Sequence, residues 1–102
     1  NEKMASKQII WTNNAKTEFY QILEFYIERN QSPIYSQKLL LEVEDLISTL
    51  ENNEFIGRLT SDKSVRVFPI KHFLLFYSIQ NEIIYILSFW DNRQDENKKL
   101  KL

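Results

Sequence analysis

The hydrophobic pattern divides the chain into a helical first half and a β-rich second half. In two stretches of the first half, apolar residues recur at helical spacing and leave the charged residues on the opposite face. From about residue 64 the pattern changes to alternation and to continuous runs of β-branched and aromatic residues, which is typical of strands. The order of the two patterns predicts an α+β domain.

The two amphipathic stretches are expected to form an antiparallel helix hairpin. The first helix should span about residues 14–30, directly after a β-prone run at 8–11. Pro33 stops this helix and, behind a Ser32 cap, starts a second helix that ends near Leu50. A connection this short forces the helices to lie antiparallel. The apolar stripes are Ala15, Phe19, Ile22, Leu23 and Tyr26 in the first helix, and Leu39, Leu40, Val43, Leu46, Ile47 and Leu50 in the second.

The second half predicts three strands joined by tight turns. The strands are residues 64–70, 73–80 and 83–90, with two-residue turns at 71–72 and 81–82, and residues 55–59 form a bend or a short strand. Turns of this length make the strands antiparallel neighbours. The chain is therefore expected to be β-α-α-β-β-β, with the helix hairpin packed on a four-stranded, mainly antiparallel sheet.

Length and composition predict one domain without a cofactor. At 102 residues the chain can bury a single core, and we expect one domain over residues 1–102 with flexible ends at 1–6 and 94–102. The absence of cysteine and of an apolar stretch near the start favours the cytoplasm over secretion or a membrane. One glycine and one histidine leave no phosphate-binding loop, no dinucleotide fingerprint and no zinc ligand set. We expect no cofactor and no metal.

Charge is unevenly distributed along the chain. The net charge is −1, but residues 1–57 carry five basic against nine acidic residues and residues 58–102 carry eight against five. The first part is therefore at −4 and the second at +3. We expect the second half to face anionic groups of a partner or substrate.

Five cationic or imidazole side chains of the second half are the candidate binding residues. They are Arg58, Arg66, Lys71, His72 and Arg93. A meander of strands is expected to bring the three arginines together on one side of the sheet, where they could bind phosphate or carboxylate groups in bidentate fashion. The alternative is that Arg58 and Arg66 pair with acidic groups or backbone carbonyls inside the fold and that Arg93 is simply solvated in a polar tail.

These residues would also suffice for metal-free RNA cleavage. That reaction needs a base, an acid for the leaving oxygen and a cation for the phosphorane. Arg66 could bind the phosphate, Arg93 or Lys71 could stabilise the charge, and Tyr77 or His72 could transfer the proton. The structural alternatives are that Tyr77 is a core residue of its strand and that His72 only forms a turn.

With these segments in this order, the sequence resembles the toxins of the RelE/ParE superfamily, which belong to bacterial type II toxin–antitoxin modules. The resemblance covers about residues 8–93. It is carried by segments in a shared order: Ile9-Ile10-Trp11, the Ser32-Pro33 break, Gly57-Arg58, Val65-Arg66-Val67, Phe73-Leu74-Leu75-Phe76-Tyr77 and Ile84-Tyr85-Ile86-Leu87. The resemblance implies the fold described above and a toxin of a plasmid-stabilisation system that inhibits growth and is neutralised by a cognate antitoxin.

The resemblance also implies two alternative mechanisms. ParE-like members poison DNA gyrase, whereas RelE-like members cut messenger RNA on the ribosome. The long helices, the mildly acidic charge and the sequence after the last strand favour the ParE-like alternative. In a RelE-like mechanism, Arg66 would correspond to the arginine that contacts the scissile phosphate and Arg93 to the C-terminal cation, while Arg58 resembles a structural position of both branches.

The resemblance implies an antitoxin partner, but the sequence leaves the oligomeric state and the activity of the toxin open. The implied antitoxin would lay an extended segment or an amphipathic helix over exposed apolar surface, with acidic residues near Arg66 and Arg93. The sequence does not distinguish a homodimer from a heterotetramer with the antitoxin, or an active toxin from a decayed one that only binds antitoxin.

Overall fold

The computed structural model describes residues 7–93 and contains the predicted elements in the predicted order. They are β1 (Gln8–Trp11), α1 (Asn13–Asn30), α2 (Ile34–Asn52), β2 (Arg58–Leu59), β3 (Arg66–Ile70), β4 (Phe73–Gln80) and β5 (Ile83–Asp91). The expected α+β class is confirmed. The expected flexible ends, 1–6 and 94–102, lie outside the described residues.

The sheet has five strands where four were predicted. Their spatial order is β1-β5-β4-β3-β2, with β1 parallel to β5 and all other neighbours antiparallel. The additional strand is β2, whose two residues pair with Val67 and Arg66 of β3. Two residues are too few to produce a recognisable alternation, so the sequence indicated only a bend or short strand there.

Local signals explain where the helices begin. Thr12 Oγ1 accepts a hydrogen bond from the Ala15 N–H at 3.1 Å and caps the start of α1. At the second helix the boundary lies one residue later than predicted, because Pro33 occupies the cap position and Ile34 is the first helical residue. Ser32 still contributes, since its hydroxyl accepts from the Ile34 N–H at 3.2 Å.

The helix hairpin covers one face of the sheet and forms the main core there. Phe73, Leu75 and Tyr77 of β4 point into this core, together with the buried stripes of both helices. The alternate residues Leu74 and Phe76 belong to a smaller apolar cluster on the other face. Because both faces of β4 are buried, its apolar run is continuous rather than alternating.

An acidic side chain of α1 completes the hydrogen bonding of an irregularity in β5. The β4–β5 pairing shifts register by one residue, which leaves Leu87 as the extra residue of a β-bulge. Asn14 Nδ2 donates to the Leu87 carbonyl at 3.0 Å, and Glu18 Oε1 accepts from the Phe89 N–H at 3.0 Å. Glu18 Oε2 also accepts from Trp90 Nε1 at 3.1 Å. These bonds fix the start of α1 to the end of β5.

Within residues 7–93, no helix has both the length and the apolar character that crossing a lipid bilayer requires.

Candidate functional site

Arg66 holds the loop that precedes β2. Its Nη1 donates to the Gly57 carbonyl at 2.6 Å and, more weakly, to the Phe55 carbonyl at 3.4 Å. The guanidinium carbon lies 5.0 Å from the centre of the Phe55 ring, within cation–π range. One nitrogen of the guanidinium therefore bonds to backbone carbonyls inside the fold, which is the alternative that the sequence left open for Arg66.

Tyr77 lies directly opposite Arg66 in the β3–β4 pair and is fully buried. Its hydroxyl donates to the Glu54 carbonyl at 2.8 Å and accepts from the Gly57 N–H at 2.8 Å. Burial raises the pKa of Tyr77 above 10.0, although the hydrogen bond from Gly57 acts in the opposite direction. The phenol thus stays protonated at neutral pH, and its proton is directed to a backbone carbonyl.

Arg58 projects from the opposite face of the sheet. In the antiparallel pair of β2 and β3, Arg58 lies opposite Val67, whereas Arg66 pairs with Leu59. Successive residues of a strand point to opposite faces, so Arg58 and Arg66 are on different sides. Arg58 is exposed and forms no ion pair with any carboxylate in residues 7–93.

Lys71, His72 and Arg93 meet at the far end of β3. The Asn92 N–H donates to the His72 carbonyl at 2.7 Å, which brings the segment after β5 beside the β3–β4 turn. Lys71 Nζ lies 3.2 Å from Glu42 Oε2, and Arg93 Nε lies 3.3 Å from Asp91 Oδ1. The two cations are therefore balanced by two carboxylates.

The balance at this end rests on a buried carboxylate. The Asp91 side chain is 2% exposed; it accepts from Tyr26 Oη at 2.8 Å and pairs with Arg93, which also donates to Tyr26 Oη. Burial alone would raise the pKa of Asp91, but the hydrogen bonds from Arg93 and Tyr26 outweigh it and lower this pKa below 3.8. Asp91 is thus ionised at neutral pH and neutralises Arg93.

His72 is held neutral beside these cations. Its Nε2 lies 3.2 Å from Tyr35 Oη, and its ring lies 4.4 Å, centre to centre, from that of Phe73. Burial lowers the pKa of His72 below 6.5, and the nearby charges of Arg93 and Lys71 lower it further. An uncharged imidazole is therefore the dominant form at pH 7.

The expected convergence of the three arginines is not observed. Arg58 and Arg66 face opposite sides of the sheet, and Arg66 is separated from Ile70 by the length of β3, about 13 Å at roughly 3.3 Å per residue. Arg93 lies beyond that far end, beside His72. The physical reason is that the strands carry the three residues to different faces and ends. Roles of the individual residues in binding or catalysis stay predictions.

Sequence reasoning missed two groups of residues that define these environments. Asp91 neutralises Arg93 and Tyr26 forms hydrogen bonds with both, and the position of Asp91 directly after an apolar strand was the available signal. Phe55 and Leu59 are large apolar residues left exposed at β2. No sequence signal separates an exposed apolar residue from a buried one in so short a segment.

A groove of about 300 Å³ opens between the helices and β1. Its walls are mostly apolar, with Lys16 and Glu44 among them, and its other lining residues are Trp11, Phe19, Tyr20, Leu40, Val43 and Ile47. Within residues 7–93, no three His, Asp or Glu side chains are grouped closely enough to hold a metal ion.

Comparisons with known proteins place the fold among toxins. The model of the family described as ParE toxin of type II toxin-antitoxin system, parDE, matches residues 9–96. A solved structure described as the chromosomal ParDE TA system from P. aeruginosa contains a similar chain with 19% sequence identity and a TM-score of 0.72. The match covers 84% of this chain and 96% of that one, and at this identity it shows a shared fold. No curated protein matches significantly.

Proposed function

Because the chain belongs to the ParE toxin family of type II toxin–antitoxin systems, we propose that it arrests bacterial growth by acting on DNA gyrase and that a cognate antitoxin neutralises it. The family match covers residues 9–96 and supports the toxin role. The choice of gyrase over messenger RNA rests on how the candidate catalytic groups are bonded.

The observation that supports a non-catalytic toxin is the engagement of Tyr77. Its hydroxyl is bonded on both sides by backbone groups, so it has no free proton-transfer function towards a substrate. Arg66, the candidate phosphate ligand, donates from one guanidinium nitrogen, Nη1, to two backbone carbonyls. Arg93, the second candidate cation, is paired with Asp91. Proton transfer by Tyr77 and phosphate binding by Arg93 would require their bonds to be exchanged for bonds to the substrate, and buried polar groups would then lose their partners.

The proposal is tested by expressing the chain in a bacterial host from an inducible promoter. We expect growth arrest with induction of the SOS response and intact messages, and inhibition of supercoiling by purified DNA gyrase when the purified chain is added. The matched control is the same gene with a stop codon in place of that for Gln8. New 5′ ends at the ribosomal A site without gyrase inhibition would establish the RelE-like nuclease alternative instead. Normal growth with abundant folded protein would refute the toxin proposal.

For the antitoxin, we propose docking in the groove between the helices. The groove is concave and mostly apolar, which suits one face of an amphipathic helix. Tyr20 and Leu40 at this groove are exposed, and a bound helix would cover them. Co-expression of the neighbouring small reading frame should restore growth. The replacement of Leu40 with Asp should weaken this rescue, whereas growth arrest by the variant alone should persist.

A further inference from the structure

The edge of the sheet at β2 exposes a compact apolar surface around an arginine. Phe55, Ile56 and Leu59 are 63%, 38% and 45% exposed, although their side chains are large and apolar. Leu59 lies directly opposite Arg66 in the β2–β3 pair, and the Arg66 guanidinium lies over the Phe55 ring. We call these four residues, Phe55, Ile56, Leu59 and Arg66, the β2 edge surface.

The β2 edge surface is fixed from inside the protein. Arg66 donates to the carbonyls of Phe55 and Gly57, and the buried Tyr77 hydroxyl binds the backbone of Glu54 and Gly57. The Phe55 ring is therefore presented on a segment whose backbone is bonded at Glu54, Phe55 and Gly57. An aromatic residue and an arginine held in advance lose little conformational entropy on binding, and these residue types dominate the energetics of protein interfaces.

The charge around the β2 edge surface selects an acidic partner. Within residues 7–93, Arg66 forms no ion pair with a carboxylate. The acidic residue of the adjoining loop, Asp62, is occupied by hydrogen bonds from the Ser64 N–H at 3.0 Å and hydroxyl at 2.7 Å. A carboxylate on a partner would meet uncompensated guanidinium charge here.

The same edge is unsuited to pairing with an extended peptide. β2 contributes only two residues, and the remaining part of β3 contains Pro69, which has no N–H to donate. A short strand and an edge proline are features that prevent addition of a further strand. Recognition at this edge therefore depends on side chains in fixed positions, which suits the surface of a folded partner better than a disordered tail.

We propose that the β2 edge surface is where the toxin contacts the folded enzyme that it inhibits. A carboxylate of that enzyme pairs with Arg66, and apolar side chains beside the carboxylate contact Phe55 and Leu59. This inference rests on the proposed toxin function and adds the surface through which the toxin acts. It assigns the target to a different part of the protein from the helix groove.

The test compares two double variants in a supercoiling assay with purified DNA gyrase. F55A/L59A removes the two most exposed side chains of the β2 edge surface. The matched control, I34A/L41A, removes two side chains of α2 that are 58% and 61% exposed and lie outside the groove. F55A/L59A should require roughly tenfold more protein or greater for half-inhibition, because truncation of interface anchors weakens binding by at least this factor. I34A/L41A should match the unmodified protein.

Two further measurements make the outcomes distinct. Circular dichroism and thermal unfolding establish that each variant is folded, and the single substitution L59D replaces F55A/L59A should the latter unfold. Full inhibition by a folded β2 edge variant overturns the inference. Loss of rescue by the antitoxin with inhibition retained also overturns it, because the surface then belongs to the antitoxin. Failure of the unmodified protein to inhibit gyrase instead refutes the proposed function, and the inference falls with it.

Discussion

Replacing Tyr77 with Phe should destabilise the protein strongly, although only one oxygen atom is removed. The hydroxyl is the shared partner of the Gly57 N–H and the Glu54 carbonyl, each at 2.8 Å. The ring itself is fully buried and stays in place in the variant, so no large cavity forms. The loss is therefore one of hydrogen bonding rather than of packing.

The magnitude follows from the two backbone groups left without a partner. Each unsatisfied buried group costs about 1–3 kcal/mol, and partial access of water near Glu54 reduces the total to about 2–4 kcal/mol. A domain of this size has a free energy of unfolding of about 5–15 kcal/mol. At roughly 4–8 °C per kcal/mol, the midpoint of thermal unfolding should fall by about 8–32 °C.

Urea unfolding followed by circular dichroism measures this loss. The midpoint should move to lower urea concentration by about 1–2 M with an unchanged slope, for a slope near 2 kcal/mol per M. The control is Tyr20→Phe, which removes a hydroxyl from an exposed side chain and should change the free energy of unfolding by less than about 0.5 kcal/mol. A Tyr77→Phe variant as stable as the unmodified protein, but without its toxicity, would refute the structural role and favour a catalytic one.

Three further substitutions test other parts of the fold. Gly57→Ala should lower the free energy of unfolding by about 1–3 kcal/mol, because the added Cβ would lie 2.8 Å from the Tyr77 side chain. Thermal unfolding measures this loss, and an unchanged midpoint would contradict the close approach. Glu18→Ala removes the hydrogen-bond acceptor at the β5 bulge and should lower the free energy of unfolding by about 1.5–3 kcal/mol, as measured by urea unfolding. The control Glu24→Ala, at an exposed position, should change it little. Because the pKa of His72 is lowered in the folded protein, the unfolded chain binds the proton more readily. The contribution of neutral His72 to stability is therefore complete above about pH 6.5 and is lost as the pH falls towards the pKa of the folded state. Midpoints measured between pH 7.5 and 5.5 should therefore drop less in His72→Asn than in the unmodified protein, and an equal drop would show that other groups are responsible.

Local signals in the sequence were sufficient to predict most of the fold. Apolar spacing located both helices, and the two-residue turns located β3, β4 and β5 to within about two residues. Within the candidate site the sequence identified the charged residues but not their partners. Arg93 was predicted to bind an anion or to be solvated, and its bond to Tyr26 was not foreseen, because Tyr26 lies far away in the sequence and reaches Arg93 and Asp91 only through the packing of α1 against β5.

The sequence by itself determined the β-α-α-β-β-β order, the helix hairpin and the uneven distribution of charge between the two halves. These depend on residue spacing and turn chemistry, which act over a few residues. Only the tertiary structure decided that β1 pairs in parallel with β5, that Arg58 and Arg66 face opposite sides, and that Phe55 is exposed while Tyr77 is buried. Each of these outcomes depends on contacts between residues far apart in the chain, because register and burial are set by the whole packed sheet and not by any single strand.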